Sequence, residues 1–177
     1  MRELRGSVHT ENGNTTVTMR IPLGAAPSEV WKTVTDRRLL ARWMGSLTGG
    51  GEVGSDYRII FDESDPTALV TGQIRHCIHG QELILTWQAP GEPVSLVTVR
   101  LAAAGVGTVL HLTHTGLSGP GSGTGHAAGW QVHLEQLAAG LADDDWADRW
   151  EDWPTLQRAY EQVVPQTPAT SNPEEPT

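Results

Sequence analysis

Cysteine, lysine and phenylalanine each occur once in the 177 residues, as Cys77, Lys32 and Phe61. A single thiol cannot close an internal disulfide, which excludes a disulfide-stapled scaffold. The polar start from Met1 to Asn14 lacks the apolar core of a secretory signal, so a reducing cytoplasm is the expected compartment. No stretch approaches the roughly 20 apolar residues that a spanning helix needs, which predicts no membrane insertion. Basic residues are scarce beyond residue 100, where Arg149 and Arg158 stand against ten Asp and Glu. A duplex binder displaces counterions with clustered Lys and Arg; this chain has no basic run, so nucleic acid is not an expected partner.

What remains is the composition of one globular domain, 38% apolar with 20 glycines and a formal charge of −9 that resides almost wholly in the C-terminal part. The first 13 residues read as an N-terminal arm. Val17, Met19 and Ile21 alternate with polar residues and predict a first strand over Asn14 to Pro22. Pro27 suits a first helical position, with Val30, Trp31 and Val34 on one face, and Asp36 can cap a second short turn through Trp43. Gly49 to Gly51 and Gly54 before Asp56 to Phe61 predict a hairpin. Strand composition follows over Ala68 to Ile78, Glu82 to Gln88, Val94 to Ala103 and Thr108 to Thr115, and the short connections make these an antiparallel meander. Gly116 to Gly125 reads as a mobile loop, placed to act as a portal flap. Ala127, Trp130, Leu134, Leu137 and Leu141 then recur at helical spacing, from about Thr124, and must bury that face against the sheet.

An acidic extension over 143–164 carries Trp146, Trp150 and Trp153, spaced to lie on one helical face. Pro154 disfavours a helical Trp153, so a break is expected there, with a short final helix through about Val163. Three exposed indoles would make an unusually large apolar patch, so they are expected to be covered by the protein's own sheet, by a second copy, or by another protein. Residues 165–177, with four prolines and no large apolar side chain, are expected to be disordered.

The segment Pro27-Ser28-Glu29-Val30-Trp31-Lys32-Thr33-Val34-Thr35-Asp36, followed by Leu40 and Trp43, resembles the N-terminal signature of the family related to the activator of the heat-shock-protein-90 ATPase, within the START-like SRPBCC superfamily. Leu85-Thr86-Trp87, the run Gly107 to Leu117, and Gly129-Trp130 resemble that family in the same order. The likeness covers residues 14–142. It implies an α+β helix-grip fold, a curved antiparallel sheet wrapped around a long C-terminal helix. It also implies a cavity between sheet and helix that in relatives often holds an apolar ligand, while polyketide cyclases and aromatases share the superfamily. Chaperone activation does not transfer with it, because the eukaryotic co-chaperone has a further N-terminal domain.

On that architecture Leu85 and Trp87, Val99, and Leu112 and His114 share inward strand faces opposite Trp130 and Leu134, with Trp43 nearby. These eight are the candidate cavity residues for a small apolar or aromatic molecule, with indole and imidazole available to orient it. His114 is the best acid–base candidate, yet no Asp or Glu stands at a recognisable spacing to orient it, so no catalytic residue is assigned. Metal binding is not expected. His111 and His114 point to opposite faces of a strand, His126 and His133 are not adjacent on their helix, and His76, Cys77 and His79 fall short of a full ligand set. Cys77 reads as a buried thiol. The Gly49 to Gly54 run lacks the Lys and Ser or Thr of a phosphate loop, and no cofactor is expected. A non-enzymatic ligand-binding protein is the first expectation. A chaperone-associated or other protein-interaction module, or a homodimer, acting through the acidic segment with Trp146, Trp150 and Trp153 is the second, and a polyketide cyclase- or aromatase-like cavity enzyme the third.

Overall fold

Val17, Met19, Ile21 and Leu23 are all at most 4% exposed on Asn14–Leu23, while the residues between them face outward. This period-two burial runs through a computed structural model that describes residues 3–164. The chain order is β1 (Gly6–Glu11), β2 (Asn14–Leu23), α1 (Pro27–Thr35), α2 (Arg37–Leu40), β3 (Ser46–Gly49), β4 (Asp56–Ile60), β5 (Leu69–Ile78), β6 (Glu82–Trp87), β7 (Ser95–Ala104), β8 (Gly107–Ser118), α3 (Gly119–Asp143) and α4 (Trp153–Val163). All eight strands form one antiparallel sheet in the order β1-β2-β8-β7-β6-β5-β4-β3. The α+β helix-grip architecture is present, with Trp130, Leu134 and Leu137 of α3 buried in one core with the inward strand residues.

Asp36 caps α2 as its sequence position implies, accepting from the backbone N–H groups of Arg38 and Leu39. Four expectations need correction. The supposed arm contains β1, which pairs with β2 from Gly6 opposite Met19 to Glu11 opposite Asn14. Its turn is Asn12-Gly13, both with positive φ, the geometry of a two-residue hairpin that this dipeptide favours. Gly119 to Gly125, expected to be a loop, forms the first two turns of α3, so no flap exists there. Pro120 sits where a helix needs no N–H, and Gly123 lies so close to Val8 and Thr15 that a side chain would collide with them. Packing therefore overrides the low helix propensity of glycine.

The third correction concerns the extension. Asp144 to Arg149 is not helical, a tight turn covers Trp150–Asp152, and α4 starts at Trp153 itself, in helical geometry despite Pro154. The Trp153 indole donates to Gly125 O at 3.1 Å and stacks on Trp150 at 6.1 Å, which holds it there. The three indoles lie on the outer side of α3 rather than on the sheet, over a face of small residues. Trp150 and Trp153 meet Gly129, and Trp146 meets Gly140. The fourth is Cys77, which is exposed rather than buried.

Both chain ends are tied to α3 by Gln131, which is fully buried. Its Oε1 accepts from Arg5 N at 3.1 Å and from the Tyr160 hydroxyl at 2.6 Å, and its Nε2 donates to Glu3 O at 2.8 Å. Burial pushes the Tyr160 hydroxyl up to about 12, so it stays a donor at any physiological pH. The expected disordered tail, 165–177, lies outside the described residues.

Candidate functional site

The sheet curls away from α3 at its β3–β6 side and leaves a cavity of about 360 Å³ between them. Leu83, Leu85 and Trp87 of β6, Val97 and Val99 of β7, and Leu110 and Leu112 of β8 form its floor, because each strand turns every second residue inward. Trp130 and Leu134 of α3 close the far wall. Trp31 and Val34 of α1, with Trp43 and Met44 after α2, close the near one. β5 contributes both Ile74 and Cys77, three apart, because a bulge between Ile74 and His76 shifts its alternation by one residue. The mouth lies between the end of α1, the loop carrying Gly50, Gly51, Glu52 and Val53, and the turn at His79. At that volume the cavity falls within the ~300–1,000 Å³ range of small-molecule sites.

Seven of the eight candidate residues line this space: Trp43, Leu85, Trp87, Val99, Leu112, Trp130 and Leu134. His114 does not. It lies fully buried behind the wall, where its ring meets Trp87 edge-on at 5.9 Å and Trp130 at 6.1 Å. The Trp130 indole N–H donates to His114 Nδ1 at 3.1 Å, which makes Nδ1 an acceptor and leaves the proton on Nε2. Nε2 then donates to Ser95 Oγ at 2.7 Å, and the Ser95 hydroxyl donates to Trp87 O at 2.9 Å. The chain of donors runs one way from Trp130 to the β6 backbone with every member satisfied. Burial, and secondarily the neighbouring His126 ring at 4.8 Å, lower His114 to about 3. A histidine that is neutral at pH 7 with both nitrogens bonded fixes the Trp130 indole and has no free edge for acid–base work.

The other polar groups on the wall are mostly spoken for. The Tyr57 hydroxyl donates to Thr86 O at 2.6 Å, crossing Gly72, where a side chain would block the ring; burial pushes that hydroxyl well above its ordinary range. The Trp43 indole donates to Thr33 O at 3.2 Å. Trp31 and Trp87, only 5% and 7% exposed, have indole N–H groups that reach no protein acceptor among the described residues.

A second aromatic path leads from this wall to the surface. Trp87 contacts Phe61 at 6.2 Å, Phe61 stacks on His133 at 5.6 Å, and His133 contacts Trp150 at 5.4 Å. His133 donates from Nδ1 to Trp43 O at 2.8 Å, and burial lowers its pKa despite that bond and the nearby Asp148. Of the partner-interface candidates, Trp150 is 48% exposed, while Trp146 and Trp153 are half-buried. Trp146 is held by the Arg42 guanidinium 4.4 Å above its ring and by its indole N–H donating to Asp144 at 2.6 Å. Among the described residues no three His, Cys, Asp or Glu side chains gather as a metal site, and no helix is long and apolar enough to cross a membrane.

Sequence reasoning missed Ser95, Tyr57 and Phe61. Tyr57 and Ile59 alternate on β4 and could have been read as inward; no pattern marks Ser95 or Phe61.

An α+β fold that wraps an antiparallel sheet around a long helix, with an apolar cavity between them, defines the helix-grip class. Residues 24–142 match the family described as activator of Hsp90 ATPase homolog 1-like protein, and the chain belongs to that family. Solved structures agree on the fold. CalU16 from Micromonospora echinospora is 21% identical with a TM-score of 0.71, over 89% of this chain and 94% of that one. DynU16, of the dynemicin biosynthetic locus, is 26% identical with a TM-score of 0.67 over 73% of this chain, which spans about half of DynU16, 48%. The Aha1 dimer from Colwellia psychrerythraea is 19% identical with a TM-score of 0.63, over 72% of this chain and 96% of that one. No curated protein matches the chain by sequence.

Proposed function

We propose that this protein binds one small, apolar, ring-containing molecule between its sheet and α3, as a non-enzymatic carrier or sensor. The observation that carries this reading is the roughly 360 Å³ cavity walled by Trp31, Trp43, Trp87 and Trp130. Unfilled apolar space costs stability, by about 24 cal/mol per Å³ in cavity-creating core variants, and a ligand that fits offsets that cost. Binding rather than catalysis is favoured by His114, which is neutral and bonded at both nitrogens behind the wall. The similar DynU16 belongs to a biosynthetic locus, a setting that suits a small-molecule ligand.

The test is a fluorescence titration with N-phenyl-1-naphthylamine, an uncharged probe. The expected result is saturable binding at one site, lost when Val99→Trp fills the floor of the cavity while the circular dichroism spectrum is retained. Absence of saturable binding to the unmodified protein would contradict the proposal.

A further inference from the structure

The cavity has a charge preference as well as a size. Its lining includes no Lys or Arg, and the fixed charge among the lining residues is the exposed Glu52 side chain, which has no hydrogen bond or ion pair among the described residues; Lys32, which lines the adjoining pocket beside Trp31 and His79, and Arg37, whose guanidinium donates to Gly49 O, stand outside that lining. A carboxylate entering this space would lose its hydration, meet no cation, and pass a like charge on the way in. The wall does offer donors. Trp31 and Trp87 have indole N–H groups with no protein acceptor among the described residues, whereas those of Trp43 and Trp130 are already bonded. The faces of four indoles favour flat rings, and they attract positive charge and not negative.

From this lining we infer that the site selects flat aromatic molecules that carry no negative charge and present a hydrogen-bond acceptor, such as a ring ketone, and that it rejects carboxylates of the same shape. The inference rests on the ligand-binding reading above and adds which ligands are refused. Three tricyclic probes of similar outline separate the two ideas: acridone, uncharged with a carbonyl acceptor; 9-aminoacridine, a cation; and anthracene-9-carboxylate, an anion. Quenching of tryptophan fluorescence reports each.

Acridone is expected to bind, 9-aminoacridine, which presents no acceptor, more weakly, and anthracene-9-carboxylate at least tenfold more weakly than acridone. Glu52→Lys, in an exposed loop, is expected to narrow that gap at least threefold without changing the acridone affinity. Equal affinities for acridone and the carboxylate, or a gap that Glu52→Lys leaves intact, would overturn the inference while leaving ligand binding standing. If none of the three binds, the ligand-binding reading falls with it.

Discussion

His114 stands where a catalytic histidine would be sought, yet its environment makes it a strut. Its folded-state value of about 3 lies below the ordinary 6.5, so the unfolded chain takes up the proton first as pH falls. The stabilisation is therefore fully present above about pH 6.5 and is lost progressively between there and pH 3. At pH 5 the loss from this residue is about 2 kcal/mol, at ~1.4 kcal/mol per unit. Burial lowers His133 as well, which acts in the same direction. Urea unfolding at pH 7.5 and pH 5 checks this: the midpoint should fall at pH 5, and His114→Gln should flatten that dependence. A midpoint that held steady would argue against the neutral, doubly bonded histidine. The strand position of His114 was legible from alternation. Its role was not, because Ser95 comes from β7, 19 residues earlier, and nothing local links them.

At the scale of elements, α3 serves two surfaces. Its large residues meet the sheet, while Gly125, Gly129 and Gly140 leave a shallow seat for the indoles of the extension. Two of these glycines give opposite predictions. A Cβ at Gly129 would meet Trp150 and Trp153 at ordinary contact distances of 3.7–3.8 Å, so Gly129→Ala should be neutral or stabilise by up to about 1 kcal/mol through helix propensity. A Cβ at Gly140 would collide with the Trp146 ring, so Gly140→Ala should destabilise by roughly 1–3 kcal/mol despite the same gain in propensity. Thermal unfolding of the two variants distinguishes them, and the same sign for both would contradict the docking of Trp146.

The strands and helices with regular apolar spacing were legible in the sequence. β1 was hidden because Val8 is its only large apolar residue, although Asn12-Gly13 marks its turn. The start of α3 was hidden because glycines that look like a loop are there for close packing against Val8 and Thr15. The indole spacing of the extension suggests one helical face, whereas the chain between Asp144 and Arg149 leaves the helix and the rings reach α3 from a turn, a short segment and α4.

For the whole molecule, the sheet, the long helix and seven of the eight cavity candidates follow from alternation combined with the family likeness. The mouth does not. It is assembled from three connections far apart in sequence, near Thr35, Glu52 and His79, and the bulge that turns Cys77 inward has no sequence signature. The distribution of tryptophan is what the architecture makes useful: Trp31, Trp43, Trp87 and Trp130 surround the cavity, and Trp146, Trp150 and Trp153 dock outside α3. The seven indole N–H resonances in a nitrogen-15 correlation spectrum therefore form two groups. On addition of acridone, the four cavity indoles should shift, Trp31 and Trp87 most, with the other three unmoved. Shifts confined to Trp146, Trp150 and Trp153, or no shifts at saturating probe, would contradict a ligand site between sheet and helix.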